Sequence, residues 1–135
     1  MSKENVALIR AIYDAFASGD VAGVLGRMGP DIVWNEAENF RYADRNPYVG
    51  PDAIANGVFA RLIGEWDGFS VAADEFLDAG DTVVVTGRYH GAYKATGGSI
   101  RAQFVHMWRV ASGKAVRFQQ YTDTLQAARV TEAIA

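Results

Sequence analysis

Residues 101–110, with the sequence RAQFVHMWRV, decide the fold together with a turn at residues 111–114 and the segment that follows at 115–123. Side chains alternate along residues 101–110. One face is apolar apart from a single histidine and carries Ala102, Phe104, His106, Trp108 and Val110. A period of two residues is typical of a half-buried β-strand. The stretch therefore predicts a pair of antiparallel strands with one buried face.

His106 lies in the middle of that apolar face, and its surroundings in the fold decide its role. A buried histidine is either a core residue that bonds a backbone carbonyl or part of the lining of an internal pocket. A core face and a cavity face have the same pattern in a sequence. Both interpretations therefore stay open at this point.

The composition restricts the class of protein. A chain of 135 residues, half of them hydrophobic, predicts a single globular domain over residues 1–135. The net charge of −3 comes without a basic block, which argues against nucleic acid and a membrane surface as partners. Because cysteine is absent from the sequence, disulfides and thiolate metal sites are excluded. The polar N-terminus predicts a cytoplasmic protein, and we expect neither a cofactor nor a metal.

The rest of the chain predicts helices first and strands afterwards. The expected elements are, in chain order, a helix that ends at residues 18–20, a short helix that ends after Met28, a strand at 31–36, a long loop at 37–50, a helix at about 53–66, strands at 69–78, 82–94, 100–110 and 115–123, and a short helix in the tail at 125–135. This order predicts an α+β fold. In it, a curved antiparallel sheet packs on three N-terminal helices around an internal pocket.

Five short segments follow one another in an order that resembles a known family. They are IYDAFASGD at 12–20, DIVW at 31–34, YVGPDAI at 48–54, GDTVVV at 80–85 and SGK at 112–114. With them, nearly the whole chain resembles the SnoaL-like branch of the nuclear transport factor 2-like superfamily. The resemblance implies a cone-shaped fold with a deep pocket and a homodimer formed through the sheet. The superfamily holds ketosteroid isomerase, polyketide cyclases, an epoxide hydrolase and non-catalytic binding proteins, so the fold does not fix the reaction.

Glu36 is the first candidate for a catalytic group. It shares one face of the predicted strand with Ile32 and Trp34, and apolar neighbours raise the pKa of a carboxyl group toward neutral pH. The resemblance also places Glu36 where ketosteroid isomerase has its carboxylate base. The alternative is that Glu36 ends the strand and turns into solvent.

His106 and Asp123 are the other two catalytic candidates. The resemblance places His106 where the isomerase holds a protonated acid that donates to the developing oxyanion, and SnoaL-like cyclases use a strand histidine. Those cyclases also use an aspartate near the position of Asp123 as a general acid or base. On adjacent strands the two side chains could pair, which would make the histidine a better base. The alternative for Asp123 is a strand-end residue that forms a turn.

Aromatic residues are the candidates for the wall of the pocket, although aromatic residues in a small domain more often form a core. The expected wall consists of Tyr13, Trp34, Phe104, Trp108, Phe118 and Tyr121. The tyrosine that donates to the oxyanion in the isomerase aligns with Ile12, one residue before Tyr13, which argues against a true ketosteroid isomerase. Arg88 and His90 lack the acid of the epoxide hydrolase pair, and a polar outer sheet face is favoured for them.

Together these features predict cofactor-independent acid/base chemistry, an isomerisation or an aldol-type cyclisation, on a small hydrophobic carbonyl compound. Glu36 or Asp123 would remove a proton next to the carbonyl, and His106 would stabilise the enolate oxygen or return the proton. Residues 37–49 form the expected rim and would set specificity. Two other hypotheses are a non-catalytic domain that binds a small ligand and a partner-binding domain with a collapsed pocket.

Overall fold

The computed structural model describes residues 2–132 of the chain. Its elements are, in order, α1 (Ser2–Ala17), α2 (Val21–Leu25), β1 (Met28–Asn35), a 3₁₀ helix (Arg41–Arg45), β2 (Tyr48–Val49), α3 (Pro51–Ile54), a π-helical turn (Ala55–Phe59), α4 (Ala60–Glu65), β3 (Trp66–Ala79), β4 (Thr82–Tyr93), β5 (Ser99–Ala111), β6 (Lys114–Thr122) and α5 (Thr124–Glu132). Helices precede the main strands, and the predicted α+β class is confirmed. No helix among the described residues has the length and apolar character needed to cross a bilayer.

The six strands form one sheet in the order β2-β1-β6-β5-β4-β3. Strands β3 to β6 are consecutive antiparallel neighbours, as short turns require. Strand β1, however, runs parallel to β6, so the expectation of a fully antiparallel sheet is wrong and the sheet is mixed. The reason lies in the connections. After β1 and the short edge strand β2, the chain passes through α3 and α4 to the far edge of the sheet at β3 and returns strand by strand, which brings β6 beside β1 in the same direction.

Local signals at the first two helices explain one correct and one incorrect boundary. Gly19 adopts a φ of 76° just after α1, and the Asp20 carboxylate accepts a 2.9 Å hydrogen bond from the Gly23 amide at the start of α2. Helix α2 then ends at Leu25, whereas the apolar pattern predicts that it continues to Met28. Met28 begins β1 instead, because it pairs with Ala115 of β6 and is buried in the sheet.

The segment predicted as a loop at residues 37–50 has a structure of its own. It contains the 3₁₀ helix and β2, and its aromatic residues Tyr42 and Tyr48 are buried. Arg61 of α4 donates hydrogen bonds of 3.0 and 2.8 Å to the Asp44 carboxylate and one of 2.8 Å to the Tyr48 hydroxyl. The Tyr48 ring lies so close to Gly57 that a Cβ there would come within 2.3 Å of it. The segment therefore packs on the π-helical turn and α4.

The third helical region is continuous from α3 through the π-helical turn to α4, and Trp66 begins β3 rather than ending the helix. In the π-helical turn three consecutive residues, Gly57, Val58 and Phe59, are buried. A regular α-helix buries residues three or four apart, so the turn brings additional apolar side chains to the inner face.

The core lies between these helices and the inner face of the sheet. The predicted alternation in β5 is confirmed, since all five side chains of the apolar face are at most 5% exposed. On the other face of the sheet, Arg88 is half-buried and His90 is exposed, as the pattern predicts. The inner face of the sheet is mostly apolar and the outer face is more polar, so we expect a small-molecule site on the inner face.

Candidate functional site

A cavity opens between the inner face of the sheet and the helices. The centre of a water-sized sphere can move through about 60 Å³ of it, and the total empty space, which includes gaps between atoms and the solvent-open mouth, is about 540 Å³. The wall is mostly aromatic and aliphatic, and its largest side chains are Phe16, Trp34, Phe40, Phe59, Trp108 and Phe118. Polar groups reach the cavity from five residues, namely Tyr13, Glu36, Tyr89, His106 and Gln120. An apolar pocket with a few convergent polar groups is typical of a small-molecule site.

His106 projects from β5 and is hydrogen-bonded through both ring nitrogens. Its Nδ1 lies 2.5 Å from the Tyr13 hydroxyl of α1, and its Nε2 lies 2.5 Å from the Tyr89 hydroxyl of β4. Trp108 Nε1 donates a 2.9 Å bond to the same Tyr13 hydroxyl. The Phe104 ring stacks on the imidazole with 4.0 Å between the ring centroids. These contacts hold the imidazole in one position.

Gln120 extends this chain toward the rim. It is paired with His106 across β5 and β6, and its Nε2 donates a 2.8 Å bond to the Tyr89 hydroxyl. Its Oε1 accepts a 3.0 Å bond from the backbone N–H of Ala37, which follows β1. A continuous hydrogen-bonded chain thus links Trp108, at the inner end, to the backbone at the start of the rim segment.

Burial determines the charge of the groups in this hydrogen-bonded chain. Desolvation lowers the pKa of His106 to about 3, so the imidazole is neutral at neutral pH. Desolvation also raises the pKa of Tyr13 and of Tyr89 above the usual range of a phenol, so both hydroxyls keep their protons. A neutral imidazole has one N–H donor and one acceptor nitrogen. At neutral pH this hydrogen-bonded chain is therefore an uncharged set of donors and acceptors.

Glu36 faces the same cavity from the end of β1. Asn46 fixes its backbone, because the Asn46 side chain accepts a 3.0 Å bond from the Glu36 N–H and donates a 2.9 Å bond to the Glu36 carbonyl. Trp34 Nε1 donates a 3.0 Å bond to Glu36 Oε2. Desolvation raises the pKa of Glu36 to about 7, although the Trp34 bond and the charge of Arg61 act in the opposite direction. Both protonation states are therefore populated near neutral pH.

The chain matches the family model described as a SnoaL-like domain over residues 9–118. It belongs to the SnoaL-like domain family. Solved structures agree with the fold. An NTF2-like protein from Burkholderia thailandensis is 40% identical, with a TM-score of 0.89 and coverage of 93% of this chain and 95% of that chain. TerC, co-crystallized with polyporic acid, is 30% identical, with a TM-score of 0.84 and coverage of 96% and 98%.

A third solved structure is more distant and shows the fold alone. It is a putative SnoaL-like polyketide cyclase from Jannaschia sp., 19% identical, with a TM-score of 0.83 and coverage of 99% of this chain and 95% of that chain. No curated protein matches the chain. The predicted resemblance to the SnoaL-like branch is confirmed.

In this SnoaL-like domain most of the predicted site residues come together. The carboxyl group of Glu36 and the imidazole of His106 face one cavity, and its wall includes Tyr13, Trp34, Trp108 and Phe118. Phe104 is buried but lies behind the imidazole of His106 rather than in the wall.

The structure does not bring Tyr121 and Asp123 to the cavity. Tyr121 is 52% exposed and is paired with Val105 on the outer face of the sheet. Asp123 is exposed, and its Oδ1 accepts a 3.1 Å bond from the Gln126 amide at the start of α5. The predicted pair of Asp123 and His106 is therefore wrong. Along a strand, positions an odd number apart point to opposite faces, so Tyr121 and Asp123 point away from the face that carries Gln120.

Tyr89 and Gln120 line the same cavity of the SnoaL-like domain, and the sequence interpretation missed them. A signal for each is present in the strand alternation. Tyr89 follows Val83 and Val85 on the buried face of β4, and Gln120 follows Phe118 on the buried face of β6. Within residues 2–132 no three His, Asp or Glu side chains are grouped so that they could hold a metal ion.

Proposed function

We propose that this SnoaL-like domain transfers a proton at the carbon next to the carbonyl group of a compact apolar ligand, without a cofactor. The outcome of such a step is an isomerisation or an aldol-type cyclisation. One observation carries the proposal, namely that a buried carboxyl group and an uncharged Tyr–His–Tyr chain face the same apolar cavity. The carboxyl group can act as a base, and the Tyr–His–Tyr chain can stabilise a developing oxyanion.

Glu36 is the proposed base. A pKa of about 7 leaves a large fraction of the carboxyl group ionised at neutral pH, and the protonated form can return the proton to another carbon. General bases act best when their pKa lies near the working pH. His106 does not suit this role, because its low pKa makes the imidazolium costly to form in the cavity.

The tyrosine hydroxyls are the proposed donors to the oxygen of the enolate. They are held in place by His106, Trp108 and Gln120 before a ligand enters, so little reorganisation is needed when the negative charge develops. The wall is mostly apolar, and a hydrogen bond to an anion is stronger in apolar surroundings than in water. The charge thus forms beside hydroxyl groups whose positions are already fixed.

The expected ligand is small, largely apolar and carries at least one carbonyl oxygen. Aromatic side chains dominate the cavity wall and would pack against a planar ring system. TerC, which covers almost the same length of chain at 30% identity, was co-crystallized with polyporic acid. That complex supports a small organic ligand for the cavity of this chain.

The test is the exchange of α-protons for deuterium, followed by NMR in D₂O with steroid, polyketide-like and terpenoid ketones and with polyporic acid. Wild type is compared with Glu36→Gln, which keeps the shape and the acceptor for Trp34 but cannot take a proton. We expect exchange to fall by about 10² to 10⁴-fold. Glu38→Gln is the matched control, since that neighbouring carboxylate is exposed, and it should exchange at the wild-type rate.

Two results would contradict the proposal. Glu36→Gln could exchange as fast as wild type, which would remove Glu36 as the base. Wild type could instead bind a ketone without any exchange, which would make the protein a binding domain.

A further inference from the structure

The orientation of the Gln120 amide is fixed by its partners. A backbone N–H can only donate, so the end of the amide that faces Ala37 must be the oxygen. The NH₂ end then faces the Tyr89 hydroxyl, and the Tyr89 oxygen must accept from it. Gln120 is only 3% exposed, so water does not compete for these bonds.

The same reasoning holds at the other end of the hydrogen-bonded chain. The indole N–H of Trp108 can only donate, so the Tyr13 oxygen must accept from it. Each tyrosine oxygen thus accepts one bond from outside and shares one bond with a nitrogen of His106. The two ends are equivalent in their hydrogen bonding.

Counting the protons then leaves one without a partner. Tyr13 and Tyr89 each bring a hydroxyl proton, and neutral His106 brings one ring proton, which makes three. Only two bonds, one at each ring nitrogen, are available for them. If His106 carries its proton on Nδ1, the free hydroxyl proton is that of Tyr13. If the proton is on Nε2, the free hydroxyl proton is that of Tyr89.

Among residues 2–132 the free proton has no bonded acceptor, because the Tyr13 and Tyr89 hydroxyls bond only His106, Trp108 and Gln120. Both tyrosines line the cavity. A buried donor without a partner costs free energy, and an acceptor oxygen on a bound ligand would remove that cost. We propose that Gln120 is a positioning residue that, opposite Trp108, directs the hydrogen bonds of Tyr13, His106 and Tyr89 so that one phenol proton is left for a ligand oxygen.

This inference rests on the proposed function for the use of that proton, but the direction of the bonds can be measured without a ligand. The chain has only two histidines, so ¹⁵N NMR of the ring nitrogens is simple, and His90→Gln assigns the signals of His106. Chemical shifts of the two nitrogens report which one carries the proton.

A mirror pair of variants forms the main test. Gln120→Met removes the donor to Tyr89, whose oxygen then needs the proton on Nε2, so the tautomer should shift toward Nε2–H. Trp108→Phe removes the donor to Tyr13 and should shift the tautomer toward Nδ1–H. General loosening of the cavity would not produce shifts of opposite sign. Equal shifts in one direction, or no shift in either variant, would overturn the inference.

Gln120→Glu provides a second measurement with its own control. When the introduced carboxyl group is protonated, it can accept from Ala37 and donate to Tyr89 as the amide does, and the His106 signals should match those of wild type. When it is ionised, it accepts from Tyr89, and the His106 proton should be held on Nε2. Signals that stay unchanged through this titration in the folded variant would contradict the role of Gln120.

The outcomes separate the two proposals. A tautomer that responds as described, in a protein that exchanges no ketone proton, would support the hydrogen-bond assignment and refute the proposed function. Ketone exchange that depends on Glu36, with a His106 tautomer that stays unchanged in both Gln120→Met and Trp108→Phe, would support the proposed function and refute the hydrogen-bond assignment.

Discussion

Glu36 and His106 are buried in the same cavity to nearly the same extent, at 3% and 5% exposure, yet burial moves their pKa values in opposite directions. Desolvation disfavours the charged form, which raises the pKa of Glu36 to about 7 and lowers that of His106 to about 3. Their contacts differ as well. Both nitrogens of His106 are bonded to tyrosines, whereas Glu36 accepts from Trp34 at one oxygen. The same cavity therefore holds a carboxyl group that can accept a proton, at Glu36, and an uncharged hydrogen-bonded chain around His106.

The largest effect that would test this comparison is the pH dependence that comes from His106. Its pKa is lower in the folded state than the usual 6.5, so the unfolded state binds more protons below that value, and stability falls as the pH drops from about 6.5 toward 3. The expected loss is on the order of 5 kcal/mol over the whole range. Glu36 contributes a slope of opposite sign between about pH 4.5 and 7, so the contribution of His106 is measured as the difference between wild type and His106→Gln in urea unfolding at several pH values. His90→Gln should follow wild type. A common slope in all three proteins would mean that His106 is not desolvated.

Glu36 should show a dependence of opposite sign. Its pKa is raised from 4.5 to about 7 in the folded state, so the folded state holds the proton more firmly, and stability is lost as the pH rises from about 4.5 through 7. The loss should be about 3 kcal/mol and should level off above pH 7. The same unfolding series on Glu36→Gln should lack this loss, while Glu38→Gln should keep it. Equal slopes for the two variants would contradict the burial of an ionisable group at Glu36.

The hydroxyls of Tyr13 and Tyr89 hold His106 in place, and their removal should weaken the fold. Tyr13→Phe or Tyr89→Phe leaves one imidazole nitrogen and one N–H donor without a partner, so each should destabilise the fold by about 1 to 3 kcal/mol. Tyr121→Phe removes a hydroxyl from a side chain that is 52% exposed, and its cost should be near zero. Chemical denaturation of the three variants gives the comparison. A similar loss of stability in Tyr121→Phe would show that the cavity hydroxyls stabilise the fold no more than an exposed hydroxyl does.

The smallest expected effect concerns a carboxylate outside the cavity. Asp123 caps α5 through its bond to the Gln126 amide, so Asp123→Ala should cost about 1 kcal/mol of stability. Ketone exchange should stay at the wild-type rate, in contrast to Glu36→Gln. A loss of exchange comparable to that of Glu36→Gln would return Asp123 to the candidate catalytic groups.

Features that depend on one strand or helix could be predicted from the sequence. The apolar face around His106 and the shared face of Trp34 and Glu36 follow from alternation alone. The end of α1 follows from the residues at 18–20. In each case the deciding interactions lie within a few residues of one another.

Features that depend on how separate strands meet could not be predicted in the same way. The parallel pairing of β1 with β6 and the placement of Tyr89 against His106 both depend on sheet order and register. The errors at Tyr121 and Asp123 have a different origin. Strand parity decides the face at both positions, since Tyr121 and Asp123 come three and five positions after Phe118 and therefore lie on the opposite face.

The π-helical turn Ala55–Phe59 has a consequence for how this cavity could change in evolution. Such a turn holds one residue more than an α-helical turn, while the helix continues on both sides. Deletion of a single residue there would restore a regular helix without displacing the strands that follow. Because Val58 and Phe59 both line the cavity, deletion of either one would take a side chain out of the wall. Length variation, rather than substitution, is thus a direct route to a new specificity at this helix.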